Sequence, residues 1–241
     1  MISKILPMNT LISESIHSIR VGKARKIPNT DVFSAIAKDI VSSSIFLGEN
    51  GFEGNEHADT RHHGGPEKAV HFYAGKNYSA WKRENIIHSD LLKPGAFGEN
   101  ITLNTVEEKD IFIGDIFQLG EAVIQVSQNR QPCWKLNFRF DYEQMSTSIQ
   151  ENGRTGWYCR VLQEGVVKQG DNLNLLERLQ SRWSIQTLNH LMYIDPLNSS
   201  LLEGIAGLEY LGKTCRASLT KRLENGAVED WSRRLFYTPE S

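Results

Sequence analysis

Alternation of apolar and polar positions dominates the middle of the chain. Ile111, Ile113, Phe117 and Leu119 alternate around Gly114-Asp115, and a further β segment spans residues 121–127 after Gly120. Period two broken by glycine turns marks antiparallel strands with one buried face. The same signature recurs at residues 156–162 and 165–176, with a second Gly-Asp turn at Gly170-Asp171, and earlier at 16–27, 33–38, 70–73 and 101–103. Helical spacing is brief in this part of the chain. Tyr78 and Trp81 share the core face of a helix predicted at 76–85, and Tyr142, Met145 and Ile149 share another. Many short strands with glycine turns and few helices predict a β-barrel or compact sandwich, mainly β with helices.

The period changes near Leu179. Ile185, Leu188, Leu191 and Met192 form one helical stripe, Leu201, Leu202, Ile205 and Leu208 a second, and Cys215, Leu219 and Leu223 a third that ends at Asn225-Gly226. The expected organisation is a β-barrel domain over residues 1–178 and a small three-helix domain over 179–241. The closing Ser-Arg-Arg-Leu-Phe run at 232–236 either docks back on the barrel or carries Arg233 and Arg234 as a solvated pair.

Two glycine-rich polar loops interrupt the strands. Gly48, Gly51 and Gly54 lead through His57 and Asp59 into the run Arg-His-His-Gly-Gly-Pro-Glu-Lys at 61–68, and Pro-Gly-Ala-Phe-Gly-Glu-Asn follows at 94–100. Glycine at such spacing lets backbone amides approach a ligand. The strand at 121–127 then delivers Arg130, Pro132 and Cys133 in succession. A thiol three residues from a guanidinium is a candidate nucleophile or soft-metal ligand, because nearby positive charge favours the thiolate. A cysteine filling a small apolar gap is the plainer reading of the same residue.

Composition narrows the function classes. The chain has 241 residues, 23% charged and 39% apolar, with a net charge of −2, which describes an ordinary globular protein and disfavours bulk nucleic-acid binding. Three separated cysteines with no C-x-x-C pair exclude a disulfide framework, a spaced zinc site and a four-thiolate iron–sulfur cluster. Pro7, Asn9 and Thr10 stop the first apolar run short of a signal or membrane segment, so a cytoplasmic location without membrane association is expected.

Several blocks together resemble the MOSC-domain family, and within it the YiiM-type subfamily. They are H-H-G-G-P-E-K-A-V at 62–70, G-A-F-G-E-N-I-T at 95–102, I-G-D-I-F at 113–117, Q-V-S-Q-N-R-Q-P-C-W-K-L at 125–136 and G-R-T-G-W-Y-C-R-V-L at 153–162. The three-helix tail fits too. The resemblance implies a MOSC-type β-barrel that binds molybdenum cofactor (molybdopterin), with Cys133 of the R-x-P-C motif as metal ligand or sulfur-handling residue. It further implies a reductase of N-hydroxylated compounds, such as the base analogue 6-hydroxylaminopurine. Electrons would come from a separate donor protein, a flavoprotein, and a homodimer is left open. Two alternatives stand beside this: a non-catalytic cofactor or sulfur carrier using a Cys133 persulfide, and a metal-free small-anion-binding barrel. One departure stands out. The family commonly has Gly-Asp before the double-histidine run, where this chain has Gly54-Asn55, a change that keeps hydrogen bonding and removes a charge.

Each expected site residue has a chemical role. Cys133 is the leading catalytic and metal-binding residue; Arg130 and Lys68 are the phosphate or oxyanion partners, beside the amides of Gly64 and Gly65. His62 and His63 are placed to hydrogen-bond a pterin or donate a proton, with His63 favoured as the catalytic one. Asn100 is read as a ligand-orienting amide, Glu99 as a turn cap, His71 as a structural histidine, and Asp115 and Asp171 as turn formers. Cys159 and Cys215 are read as core thiols.

Overall fold

A computed structural model of the chain describes residues 12–59 and 64–238. The chain begins with β1 (Ser13–Ser15), β2 (Ser18–Gly22) and a small hairpin of β3 (Arg25–Lys26) and β4 (Phe33–Ser34), then β5 (Lys38–Ile40), β6 (Ile45–Gly48) and β7 (Gly51–Phe52). The strand β8 (Val70–Ala74) runs into helix α1 (Gly75–Glu84), and β9 (Ile101–Leu103) follows. The meander is β10 (Ile116–Leu119), β11 (Ala122–Asn129), two helices α2 (Lys135–Phe140) and α3 (Met145–Asn152), then β12 (Trp157–Gln163), β13 (Gly165–Val167) and β14 (Asn172–Glu177). Helices α4 (Ile185–Tyr193), α5 (Ser199–Ala206), α6 (Lys213–Asn225) and α7 (Ser232–Leu235) complete the chain.

Nine strands form one curled sheet in the order β1-β14-β10-β11-β12-β8-β9-β2-β5, a half-barrel. Every neighbouring pair is antiparallel except β8 with β9. That exception follows from chain length, because a parallel return needs a long crossover and α1 with its following loop supplies one. The mainly-β fold with appended helices is as the alternation predicts, with two strands shorter than expected. The run 16–27 divides into β2 and β3, and 33–38 breaks after Ser34, whose hydroxyl accepts the Ile36 amide at 3.2 Å. A Cβ on Gly22 would sit 2.3 Å from the Ala35 carbonyl oxygen, so glycine at 22 lets this break fold against the end of β2.

The inward faces of the sheet share one continuous core with the stripes of α4, α5 and α6. Ile19, Phe72, Ile101, Ile124 and Trp157 join Leu188, Leu191, Ile205, Cys215 and Leu219 in it. Burial of that apolar area is the main term that holds the helices on the barrel. Local signals start them: Ser184 caps α4 through the Thr187 amide at 3.0 Å, and Asn198 caps α5 through the Leu201 amide at 3.1 Å. Cys159 and Cys215 are buried, and burial raises both thiol pKa values, Cys215 to about 12. A second, aromatic core backs the loop at 94–100. Phe97 stacks on Tyr73 at 4.4 Å and meets Tyr78, Trp81 and Phe140. Among the described residues no helix is long and apolar enough to cross a membrane.

Candidate functional site

Five chain segments meet at one cleft. Arg130 and Cys133 leave the end of β11; Gly64 precedes and Lys68 ends the short 3-10 turn Pro66–Lys68; Phe97, Gly98 and Asn100 come from the loop before β9; Lys38 comes from β5, and His57 from the loop after β7. Thus Cys133, Arg130, Lys68, Asn100 and Gly64 converge as the sequence suggests, while Gly65 stands just behind, opening the 3-10 turn through its carbonyl bond from the Lys68 amide at 2.9 Å. His62 and His63 lie outside the described residues.

Backbone geometry fixes the thiol wall. The Arg130 amide donates to the Gly156 carbonyl at 3.2 Å, and the Cys133 carbonyl accepts the Leu136 amide at 3.0 Å where the chain turns into α2. Gly156 must be glycine: its φ is +69°, and a Cβ there would lie 2.2 Å from the Phe72 carbonyl oxygen. The closing segment docks on this wall. The Arg234 guanidinium donates to the Pro132 carbonyl at 2.5 Å and to Gln150 Oε1 at 2.5 Å, while the Trp134 amide donates to the Arg234 carbonyl at 2.7 Å. Arg233 is exposed, so the adjacent arginines have different fates.

Charge in the cleft is mainly cationic. Burial lowers the Lys68 pKa, with Cys215 opposing, and lowers the Lys38 pKa to about 8, with Glu99 opposing. Arg130 is buried, and it helps burial hold the His71 pKa at about 3, so His71 is neutral near pH 7. His71 Nε2 faces the Thr155 carbonyl at 3.4 Å, and the Tyr158 ring lies 5.0 Å from the imidazole. Burial also raises the Tyr158 hydroxyl pKa, with Arg130 opposing.

Asn55 is a hydrogen-bond hub behind Lys38 and Asn100. Its Oδ1 accepts Lys38 Nζ at 2.7 Å, the Gly22 amide at 3.0 Å and Asn100 Nδ2 at 3.3 Å. Asn100 spends its own amide on the fold, donating also to the Arg20 carbonyl at 3.0 Å and accepting the His71 amide at 3.1 Å. Its contribution is therefore to align Asn55 and His71. Glu99 caps the turn, accepting the amides of Gly95 at 2.7 Å and Phe97 at 3.2 Å, and also accepts from Tyr78 Oη at 2.5 Å and Thr102 Oγ1 at 2.9 Å. Sequence reasoning missed Lys38, Tyr158 and Lys135 as cleft residues. For Lys38 the placing signal is long-range, the register that sets it opposite Gly22 in the β2–β5 pair.

A larger cavity of about 290 Å³ opens elsewhere, bounded by Asn77, Glu108, Arg154, Asn189 and His190. It contains no thiol and none of the expected site residues. The expected site residues that the structure describes gather instead at the smaller cleft.

Residues 59–174 match the MOSC domain, and residues 183–226 match the YiiM-like 3-alpha helix domain. The chain is 39% identical over 210 residues to YflK of Bacillus subtilis (strain 168), covering 86% of this chain and 94% of the relative. The chain belongs to the MOSC-domain family. Among MOSC proteins, YiiM of Escherichia coli (strain K12) is 36% identical over 203 residues, covering 84% of this chain and 90% of that protein. The crystal structure of YiiM from Escherichia coli superposes with a TM-score of 0.78 at 30% identity, covering 92% of this chain and 99% of the other. A protein named reductase from Gibberella moniliformis (strain M3125 / FGSC 7600) is 36% identical over 186 residues; the match covers 76% of this chain and 33% of that protein.

The residues of the cleft suit a phosphate-bearing, metal-carrying cofactor. Among the described residues no group of three or more histidine, cysteine or carboxylate side chains could hold a metal ion. Cys133 is the thiol in a cleft with several cations. A metal held there would bring most of its own ligands, and the lysines and Arg130 would meet an anionic tail.

Proposed function

We propose that the chain is a molybdenum-cofactor-dependent reductase of N-hydroxylated compounds, including hydroxylamino base analogues such as 6-hydroxylaminopurine, served by a separate flavoprotein donor. The observation that carries this reading is the half-buried Cys133 in a cleft with Arg130, Lys68 and Lys38. A polarisable thiolate suits a soft, redox-active metal, and cations desolvated in a cleft suit a phosphate. A protein named reductase among the relatives supports redox chemistry.

The reaction balances as R–NHOH plus two protons and two electrons giving R–NH2 plus water. When bound, the cofactor supplies the two-electron chemistry. In this reading Cys133 contributes the protein ligand to the metal, while Lys38, Lys68 and Arg130 hold the phosphate. Neutral His71 and the Tyr158 hydroxyl line the pocket, and His63 remains the proton donor proposed from sequence.

Protein made in a cofactor-competent host is expected to carry about one molybdenum per chain and to reduce 6-hydroxylaminopurine when a flavoprotein donor is supplied. Cys133→Ala is expected to lose both. Absence of molybdenum together with full activity of Cys133→Ala would overturn the reading.

A further inference from the structure

We propose that Asn55 sets the charge the cleft demands of its ligand: an amide where a carboxylate would fit leaves Lys38 without a counter-ion and His57 neutral, so the ligand itself must supply the negative charge as a phosphate or diphosphate group. This rests on the preceding reading that the cleft receives a phosphate-bearing group.

Three donors converge on Asn55 Oδ1: Lys38 Nζ at 2.7 Å, the Gly22 amide at 3.0 Å and Asn100 Nδ2 at 3.3 Å. Because an ammonium and a backbone N–H can only donate, they fix which end of the amide faces them. A carboxylate oxygen would satisfy the same three donors. The distinction lies on the other atom. Asn55 Nδ2 lies 3.3 Å from His57 Nε2, so the amide donates and the ring nitrogen accepts, which leaves the imidazole proton on Nδ1. An aspartate would need a protonated Nε2 there, and it would form an ion pair with Lys38. Asparagine therefore preserves the shape of this wall and removes one negative charge from it.

No other carboxylate takes that place. Among the described residues none lies within ion-pair distance of Lys38. Glu99, the carboxylate that acts on it electrostatically, is occupied by two backbone amides and two hydroxyls. Glu56 and Asp59 also line the cleft, neither within ion-pair distance of Lys38, and Glu56 is engaged by Lys23 Nζ at 2.9 Å and the Ala24 amide at 2.8 Å. An ammonium inside a cleft whose hydrogen-bond partner is a neutral amide keeps its charge available to an incoming anion.

Calorimetric titration of the full chain with inorganic pyrophosphate at pH 7 tests this. Asn55→Asp is expected to weaken binding about ten-fold, the effect of one added charge at cleft distances. Lys38→Gln is expected to weaken it similarly, and adding Asn55→Asp to Lys38→Gln is expected to cost no more than about three-fold further, because the two residues act on one another. Asn55→Ser, which removes the amide without adding charge, is expected to stay within about three-fold of wild type and serves if the aspartate variant folds poorly. Equal affinity of wild type and Asn55→Asp, or an Asn55→Ser loss as large as that of Lys38→Gln, would overturn the inference and leave the anion cleft standing. No pyrophosphate binding by wild type would overturn both.

Discussion

Asp115 and Lys38 are both ionisable groups taken out of water, and the fold treats them in opposite ways. Asp115, behind the meander, is fully buried and meets Arg178 through two bonds, Nε to Oδ1 at 2.9 Å and Nη2 to Oδ2 at 2.8 Å, with the Phe112 amide as a third donor at 2.9 Å. The guanidinium also lies over the Phe112 ring at 4.1 Å. Lys38, in the cleft, meets a neutral amide. The first arrangement completes itself within the chain. The second has only a neutral amide at hydrogen-bond distance, and on the inference above an arriving anion completes it.

The largest test removes the internal partner. Asp115→Ala leaves the half-buried Arg178 guanidinium beside Phe112 with only the Asp110 carbonyl as acceptor and should cost ~2–4 kcal/mol, read from the urea midpoint at unchanged m-value. Pyrophosphate affinity should stay within about two-fold of wild type, since the pair makes no part of the cleft. A loss below about 1 kcal/mol would show that the pin is dispensable.

Removing the other charge should act with the opposite sign. Lys38→Met keeps the stem and deletes the ammonium, and at pH 7 it should stabilise the ligand-free protein by ~1–3 kcal/mol while weakening anion binding. The pH dependence follows from the direction of the shift. The folded-state pKa of about 8 lies below the ordinary 10.5, so between these values the unfolded chain holds the extra proton and stability rises with pH. Below pH 8 the cost is fully present. The advantage of Lys38→Met should therefore shrink as pH climbs from 8 toward 10.5, as thermal melts across that range would show. A constant gap would locate the effect in packing rather than charge.

These two sites also mark how far the sequence could be read. Asp115 looks like a turn former because it follows Gly114, and it does accept the Phe112 amide; its partner Arg178 is 63 residues away, beyond any local pattern. The cleft divides likewise. Cys133, Arg130, Gly64 and Lys68 sit in motifs with their own glycines and prolines and could be named from them, whereas Lys38 enters through strand pairing with β2. The helix expected at 76–85 forms over Gly75–Glu84, and the third helical stripe stops at Gly226 in the left-handed conformation, as its Asn-Gly ending implies. Helix α2 was not legible. Leu136, Phe138 and Phe140 alternate like a strand, and tertiary contacts override that period by burying Leu136 and Phe140 in the aromatic core while Phe138 stays exposed.

The smallest expected effect separates two adjacent arginines whose roles the sequence left open. Arg234 holds the Pro132 carbonyl and Gln150, and its own carbonyl receives the Trp134 amide, so one residue braces the turn on both sides of Cys133. Next to it, the Leu235 carbonyl accepts Asn137 Nδ2 at 2.9 Å and Ser146 Oγ at 3.0 Å, and the Tyr237 ring packs 4.7 Å from Trp134. Because these other contacts survive truncation of the side chain, Arg234→Ala should cost only ~1–2 kcal/mol. Its sharper signature is local: Cys133 should react a few-fold faster with iodoacetamide as the turn loosens, about three-fold if the opening costs ~0.7 kcal/mol less. Arg233→Ala, at an exposed position, should change stability by less than about 0.5 kcal/mol and leave the alkylation rate alone. Equal behaviour of the two variants would mean that the closing helix merely covers the Cys133 turn, and that the hydrogen bonds of Arg234 do not hold it in place.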